Sequence, residues 1–124
     1  MKTVQLSDGE RVPALGQGTW RMGENKKSHA DEVAALRLGI DLGMTLIDTA
    51  EIYGDGGSEK VVADAIENQH GRVFVVTKVS PRNASRTGLP KACERSLKRP
   101  RESGFDRVQF SGMHFEIGMK ADEV

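Results

Sequence analysis

The feature that most constrains the fold of this chain is an alternation of short apolar strands with amphipathic helices. Residues 45–50 and 73–78 are mostly apolar and rich in β-branched side chains, and each run follows a segment with apolar residues at helical spacing. Apolar strands that alternate with helices are typical of βαβ units, in which helices cover a parallel sheet. The pattern predicts an α/β fold and leaves two architectures open, a doubly wound sheet and a closed (β/α)8 barrel.

Local signals place a hairpin before this alternation and three helices within it. The Asp-Gly pair at positions 8–9 lies between two short apolar runs, which is a strong hairpin signal. The first helix is predicted to begin at an N-cap, Ser28, and to end at Gly43. The second helix is predicted to begin at Ser58. With a tight strand end at residues 16–20 before the two apolar strands and a fourth strand over residues 107–114, we expect about four parallel strands and three helices.

Composition limits the class of protein. The chain has 124 residues, and its 18 Lys and Arg balance 18 Asp and Glu, so no net charge draws it to nucleic acid or a membrane surface. It has no apolar run of membrane-spanning length and no apolar leader, and its one cysteine suits a reducing compartment. We expect one cytoplasmic domain. No metal site is predicted, because the possible ligands are far apart: His29, His70, Cys93 and His114.

Three polar residues stand where the predicted strands end. Asp48 lies in an otherwise apolar strand, Tyr53 follows in the next loop, and Lys78 closes the third strand. In parallel α/β proteins the carboxyl ends of the strands share one crevice. One interpretation is a buried Asp–Lys ion pair capped by the tyrosine, with no function. The other is a proton-donating tyrosine, since a lysine ammonium beside a phenol favours release of the phenol proton.

Three segments of the sequence resemble the aldo-keto reductase family. They are residues 6–20, 43–54 and 75–79, and they occur in the family's order. The similarity is greatest to bacterial members such as diketogulonate and methylglyoxal reductases, and it extends to about Arg99. The resemblance implies the N-terminal half of a (β/α)8 barrel with a leading hairpin at its bottom. It also implies the family's Asp–Tyr–Lys–His set of catalytic residues.

The resemblance assigns a role to each polar residue. Tyr53 would protonate the carbonyl oxygen of a small aldehyde or ketone, Lys78 would assist Tyr53, and Asp48 would orient Lys78. NADPH or NADH would deliver the hydride, and no metal is implied. The resemblance also implies that the cofactor contacts Asp48 and the segment formed by Gly18, Thr19 and Trp20. This segment equally fits a tight turn with a packed indole.

The last quarter of the chain departs from the family pattern. We divide the chain into a half-barrel region, residues 1–99, and a divergent tail, residues 100–124. His114 is followed by an aromatic residue, as the family's fourth catalytic residue is, and would then donate a hydrogen bond to the substrate carbonyl. The alternative is that the tail is unrelated sequence and that His114 is an ordinary surface residue.

The length of the chain separates two functional hypotheses. A (β/α)8 barrel typically needs about 250 residues, and in the family most contacts to the cofactor come from the second half. The first hypothesis is an NAD(P)H-dependent oxidoreductase that is active in a complete barrel. The second is a non-catalytic half-barrel remnant without cofactor binding, whose two open sheet edges favour self-association.

Overall fold

The leading hairpin forms as predicted. The structure, a computed structural model, describes residues 1–69, 71–83, 85–101, 108–112 and 116–117. Strands β1 (Thr3–Gln5) and β2 (Arg11–Pro13) pair antiparallel as a separate two-stranded sheet. The backbone N–H of Glu10 donates to the Asp8 carboxylate at 3.0 Å, and Gly9 takes a φ of 90°. The Asp-Gly pair therefore closes the turn, because glycine accepts this left-handed conformation without strain.

A five-stranded sheet forms the centre of the fold. Its strands lie side by side in sequence order, and they are β3 (Gln17–Gly18), β4 (Leu46–Asp48), β5 (Phe74–Val79), β6 (Val108–Gly112) and β7 (Glu116–Ile117). The pairs β3–β4, β4–β5 and β5–β6 are parallel, which confirms the four expected parallel strands. The short strand β7 pairs antiparallel with β6, so the two edge strands of the described sheet are β3 and β7.

Three helices connect the parallel strands, as predicted. They are α1 (His29–Asp41), α2 (Gly57–Ile66) and α3 (Gly88–Arg101). Gly43 ends α1 with a φ of 94°, and the backbone N–H groups of residues 43 and 44 return to carbonyls of its last turn. Ser28 precedes α1 but makes no capping hydrogen bond through its side chain. Instead, Asn25 caps the short 3-10 turn that leads into α1.

One apolar core lies between the helices and the sheet. The strands contribute the side chains of alternate residues, so Ile47 and Val75 are buried while Asp48 and Lys78 are only half-buried. The core cluster contains Val33, Leu36, Ile40, Ile47, Val61, Val62, Ala65, Ile66, Val73 and Val75. The polar side chains at the ends of β4 and β5 thus lie away from this core.

Strand order and helix placement favour the barrel architecture over the doubly wound sheet. In a doubly wound sheet the strand order reverses at a switch point, and helices cover both faces. Here the four parallel strands follow sequence order, and α2 packs against both α1 and α3. This arrangement is consistent with half of a (β/α)8 barrel. Among the described residues, no helix is both long and apolar enough to span a bilayer.

Candidate active site

The carboxyl ends of three neighbouring parallel strands bring the predicted polar residues together. Gly18 at the end of β3 is opposite Asp48 at the end of β4, and Asp48 is opposite Val76 in β5. Lys78 lies two residues beyond Val76, so its side chain projects from the same face and the same end of the sheet. The parallel register therefore places Asp48 and Lys78 side by side, although 30 residues separate them in sequence.

Lys78 and Asp48 form a direct ion pair. The Lys78 ammonium donates to Asp48 Oδ2 at 2.6 Å and to the backbone carbonyl of Thr49 at 3.0 Å. The Lys78 side chain is 23% exposed and the Asp48 side chain is 47% exposed, so this pair is open to solvent on one side. The two contacts hold the ammonium at the carboxyl end of the sheet, where part of the Lys78 side chain is accessible to solvent. The pair is therefore only partly buried.

Tyr53 completes the group through its ring. It begins the 3-10 turn Tyr53–Gly56, and its backbone N–H donates to the carbonyl of Ala50 at 3.1 Å. The Lys78 Nζ lies 5.3 Å from the centre of the Tyr53 ring, within the range of a cation–π contact. The half-buried tyrosine and the ammonium thus share one side of the site, as both interpretations of the sequence expected.

The segment from Gly18 to Trp20 borders this site, and its three residues differ in environment. A Cβ on Gly18 would meet no atom within 4 Å, so open space lies beside it. Thr19 is fully buried, and its hydroxyl and backbone N–H both donate to the Asp48 carbonyl at 3.0 Å. The Trp20 side chain is 74% exposed, with the Arg21 guanidinium 5.9 Å from its ring centre. The packed indole that the tight-turn alternative expected is therefore wrong.

Hydrogen bonds of buried hydroxyl groups join the strand ends to α2, and the sequence did not predict them. Ser58, predicted as a helix cap, donates instead to the Thr19 hydroxyl at 2.6 Å and lies 3.0 Å from the Thr49 hydroxyl. The Thr77 hydroxyl donates to the buried Glu59 carboxylate at 2.7 Å. The sequence signal for these hydroxyl groups is a threonine next to the polar residue of each apolar strand. Thr49 follows Asp48, and Thr77 precedes Lys78.

Two further predictions concern residues at the edge of what the structure describes. His114 lies outside the described residues, which resume only with β7, so its proximity to Lys78 stays a prediction. The division between residues 1–99 and 100–124 likewise stays a prediction. Within the described part of the chain, no three His, Cys, Asp or Glu side chains are grouped closely enough to hold a metal ion.

Comparison with known proteins identifies the family. The model of the Aldo/keto reductase family matches residues 14–115. The chain belongs to this family. It is 54% identical over 98 residues to the methylglyoxal reductase YeaE of Escherichia coli strain K12, which covers 79% of the chain and 34% of that reductase. It is 32% identical to the aldo-keto reductase YhdN of Bacillus subtilis over 88% of the chain and 37% of that protein. The chain thus spans about a third of these relatives.

Solved structures of the family share the fold. An aldo-keto reductase from Klebsiella pneumoniae in complex with NADPH is 47% identical, with a TM-score of 0.78 over 89% of this chain and 39% of that one. Another from the same organism, in complex with NADP and acetate, is 36% identical, with a TM-score of 0.77 over 98% of this chain and 51% of that one. These likenesses agree with the barrel architecture that the strand order favours.

Proposed function

We propose that this chain carries the proton-donating site of an NADPH- or NADH-dependent oxidoreductase that reduces small aldehydes and ketones to alcohols. The observation that carries the proposal is the position of Lys78, whose ammonium contacts both the Asp48 carboxylate and the Tyr53 ring. An ion pair with a purely structural role needs no tyrosine beside it. The partly exposed group at the carboxyl end of the sheet fits a catalytic role.

In this proposal each side chain has a distinct task. Tyr53 donates its phenol proton to the carbonyl oxygen of the substrate as that oxygen gains negative charge. The Lys78 ammonium stabilises the phenolate that remains, because an opposite charge nearby favours the charged form. Asp48 keeps Lys78 in place through the 2.6 Å contact. In the complete site, His114 donates a hydrogen bond to the same carbonyl oxygen.

The residues at the strand ends fit the nicotinamide end of the cofactor. The open space beside Gly18, the exposed Trp20 and the half-exposed Asp48 carboxylate support a place for the nicotinamide ring at this strand end. Asp48 accepts hydrogen bonds only, which suits the carboxamide N–H of the ring. When bound, the cofactor supplies the hydride that reduces the carbonyl carbon. The relatives described above as complexes with NADPH and NADP support this choice of cofactor.

A chimera tests the proposal. The matched segment of this chain would replace the corresponding third of the E. coli methylglyoxal reductase, and NADPH oxidation with methylglyoxal would be followed by absorbance. We expect turnover close to that of the parent enzyme, because the segment supplies its own Asp48, Tyr53 and Lys78. A folded chimera that binds NADPH but does not turn over would contradict the proposal.

The second candidate is a non-catalytic half barrel that associates with another copy. The observation that favours it is an apolar patch at the C-terminal end of α1, where Leu38 and the C-cap residue Leu42 lie one turn apart and are 60% and 64% exposed. Sedimentation of the isolated chain tests this candidate, with the double substitution Leu38→Lys and Leu42→Lys as the comparison. A concentration-dependent dimer that this substitution abolishes would support it, and a monomer at all concentrations would contradict it.

A further inference from the structure

The turn that carries Tyr53 is closed by backbone hydrogen bonds within its own segment, from the Tyr53 N–H to the Ala50 carbonyl and from the Asp55 N–H to the Ile52 carbonyl. It contains three residues with left-handed backbone, Gly54, Asp55 and Gly56, and the exposed Ile52 precedes Tyr53. Asp55 pays a conformational cost in this region that glycine does not. The cation–π contact with Lys78, at 5.3 Å, is a weak constraint on the ring. None of these contacts joins the turn to the loop that follows β5.

Glu51 is the residue that joins the two segments. Its backbone N–H donates to the Lys78 carbonyl at 3.1 Å, which extends the pairing of β4 and β5 beyond the last residue of β4. Its side chain crosses to the loop after β5, where Oε1 accepts from the Ser80 backbone N–H at 2.6 Å and from the Asn83 amide at 2.8 Å. Glu51 lies two residues before Tyr53. It therefore joins the Tyr53 segment by hydrogen bonds to Lys78 in β5 and to Ser80 and Asn83 in the loop after β5.

The environment of Glu51 makes these contacts strong. The side chain is only 8% exposed, and the Arg95 guanidinium on α3 lies 4.0 Å from Oε2. Hydrogen bonds to a carboxylate are shorter and stronger than those between neutral groups, and they gain further when water is excluded. The proposed proton transfer does not use Glu51. A half-exposed polar side chain at this position would have to compete with water for the same donors, whereas the buried Glu51 carboxylate does not.

We propose that Glu51 is a positioning residue that holds the Tyr53 turn against the end of β5, and so sets the contact between Tyr53 and Lys78. The catalytic importance of that contact rests on the function proposed above, whereas the positioning itself does not. Glu51→Ala removes the acceptor for two donors and releases the turn. Glu51→Gln keeps an acceptor oxygen at the same reach and is expected to restore the arrangement.

The test uses the full chain and the fact that Tyr53 is its only tyrosine. Incorporated 3-fluorotyrosine gives a single 19F NMR resonance, and Lys78→Met defines how far that resonance moves when the ammonium is removed. We expect Glu51→Ala to move the resonance in the same direction and to add little to Lys78→Met. Glu51→Gln and the exposed control Glu67→Ala are expected to leave it near the wild-type position.

An unmoved resonance in Glu51→Ala, or full additivity with Lys78→Met, would overturn the proposal. Circular dichroism reports whether Glu51→Ala folds. If it does not, Glu51→Asp replaces it, because a side chain shorter by one methylene cannot reach Ser80 and Asn83 together and is expected to move the resonance likewise. The turnover assay of the chimera adds a second readout, a lower kcat with little change in KM. Because the NMR result needs no activity, the positioning and the function can fail separately.

Discussion

At the scale of single residues, the site depends on which polar atoms lie beside which. Asp48, Tyr53 and Lys78 could be singled out from the sequence, because polar residues at the ends of apolar strands are rare and the parallel sheet gathers them. Glu51 could not be found this way, since its partners Ser80 and Asn83 belong to a loop without periodicity. Residues in loops are placed by tertiary contacts that no local pattern reports.

The buried hydroxyl of Ser58 gives a prediction on stability. Ser58→Ala removes its hydrogen bonds to the Thr19 hydroxyl and carbonyl and its contact with the Thr49 hydroxyl. Leaving such buried groups without a partner costs about 1–3 kcal/mol. We expect a loss of this size in the free energy of unfolding measured in urea. Ser28→Ala is the matched control, because the Ser28 side chain makes no capping bond. Equal effects of the two substitutions would refute the assignment.

The single cysteine gives a prediction on pH. Burial raises the pKa of the Cys93 thiol, and the neighbouring Glu51 charge raises it further. The folded chain therefore keeps the thiol proton to higher pH than the unfolded chain, whose thiol ionises at about pH 8.5. The associated stability is present below that pH and is lost as pH rises above it. We expect slow modification by a disulfide reagent in buffer and rapid modification in urea; rapid modification of the folded chain would contradict this.

At the scale of elements, periodicity predicted the helices and strands but not the residue that caps the entry to α1 or the strand that pairs with β6. The three helices and the strands β4 and β5 follow from apolar spacing, and Gly43 ends α1, where a glycine C-cap was predicted. Ser28 does not cap α1 through its side chain, because the chain enters by a 3-10 turn that Asn25 already caps. The pairing of β7 with β6 had no signal in the sequence, since two residues are too few to show an alternating pattern.

The entry to α2 gives a prediction in which two effects oppose each other. Gly57 has helical backbone, with a φ of −64°, so helix propensity alone favours Gly57→Ala. A Cβ there would lie 2.2 Å from the Gly23 carbonyl oxygen, and backbone atoms cannot move aside easily. We expect the clash to win, with a loss of about 1–3 kcal/mol in unfolding free energy. Gly18→Ala, with open space around its Cβ, should cost much less; a stabilised Gly57→Ala would contradict the close approach.

At the scale of the whole molecule, the chain spans 34% of the E. coli relative and 39% of the NADPH-bound structure it matches. In the function proposed above, the described strand ends contact only the nicotinamide end of the cofactor. We therefore propose that the phosphate and adenine contacts come from the part of the barrel that the matched relatives have beyond the region this chain covers. We expect the isolated chain to bind NADPH weakly or not at all in a fluorescence titration. Micromolar affinity with one site per monomer would contradict this expectation.

The most direct test of the central claim is the substitution Tyr53→Phe in the chimera with the E. coli methylglyoxal reductase. The phenylalanine keeps the ring beside Lys78 but removes the proton that the substrate oxygen requires. General acid catalysis contributes typically 10²–10⁴-fold, so we predict that kcat for NADPH oxidation falls by roughly that factor while NADPH binding is retained. If kcat in Tyr53→Phe equals that of the unsubstituted chimera, then Tyr53 is not the proton donor and the account of the site is wrong.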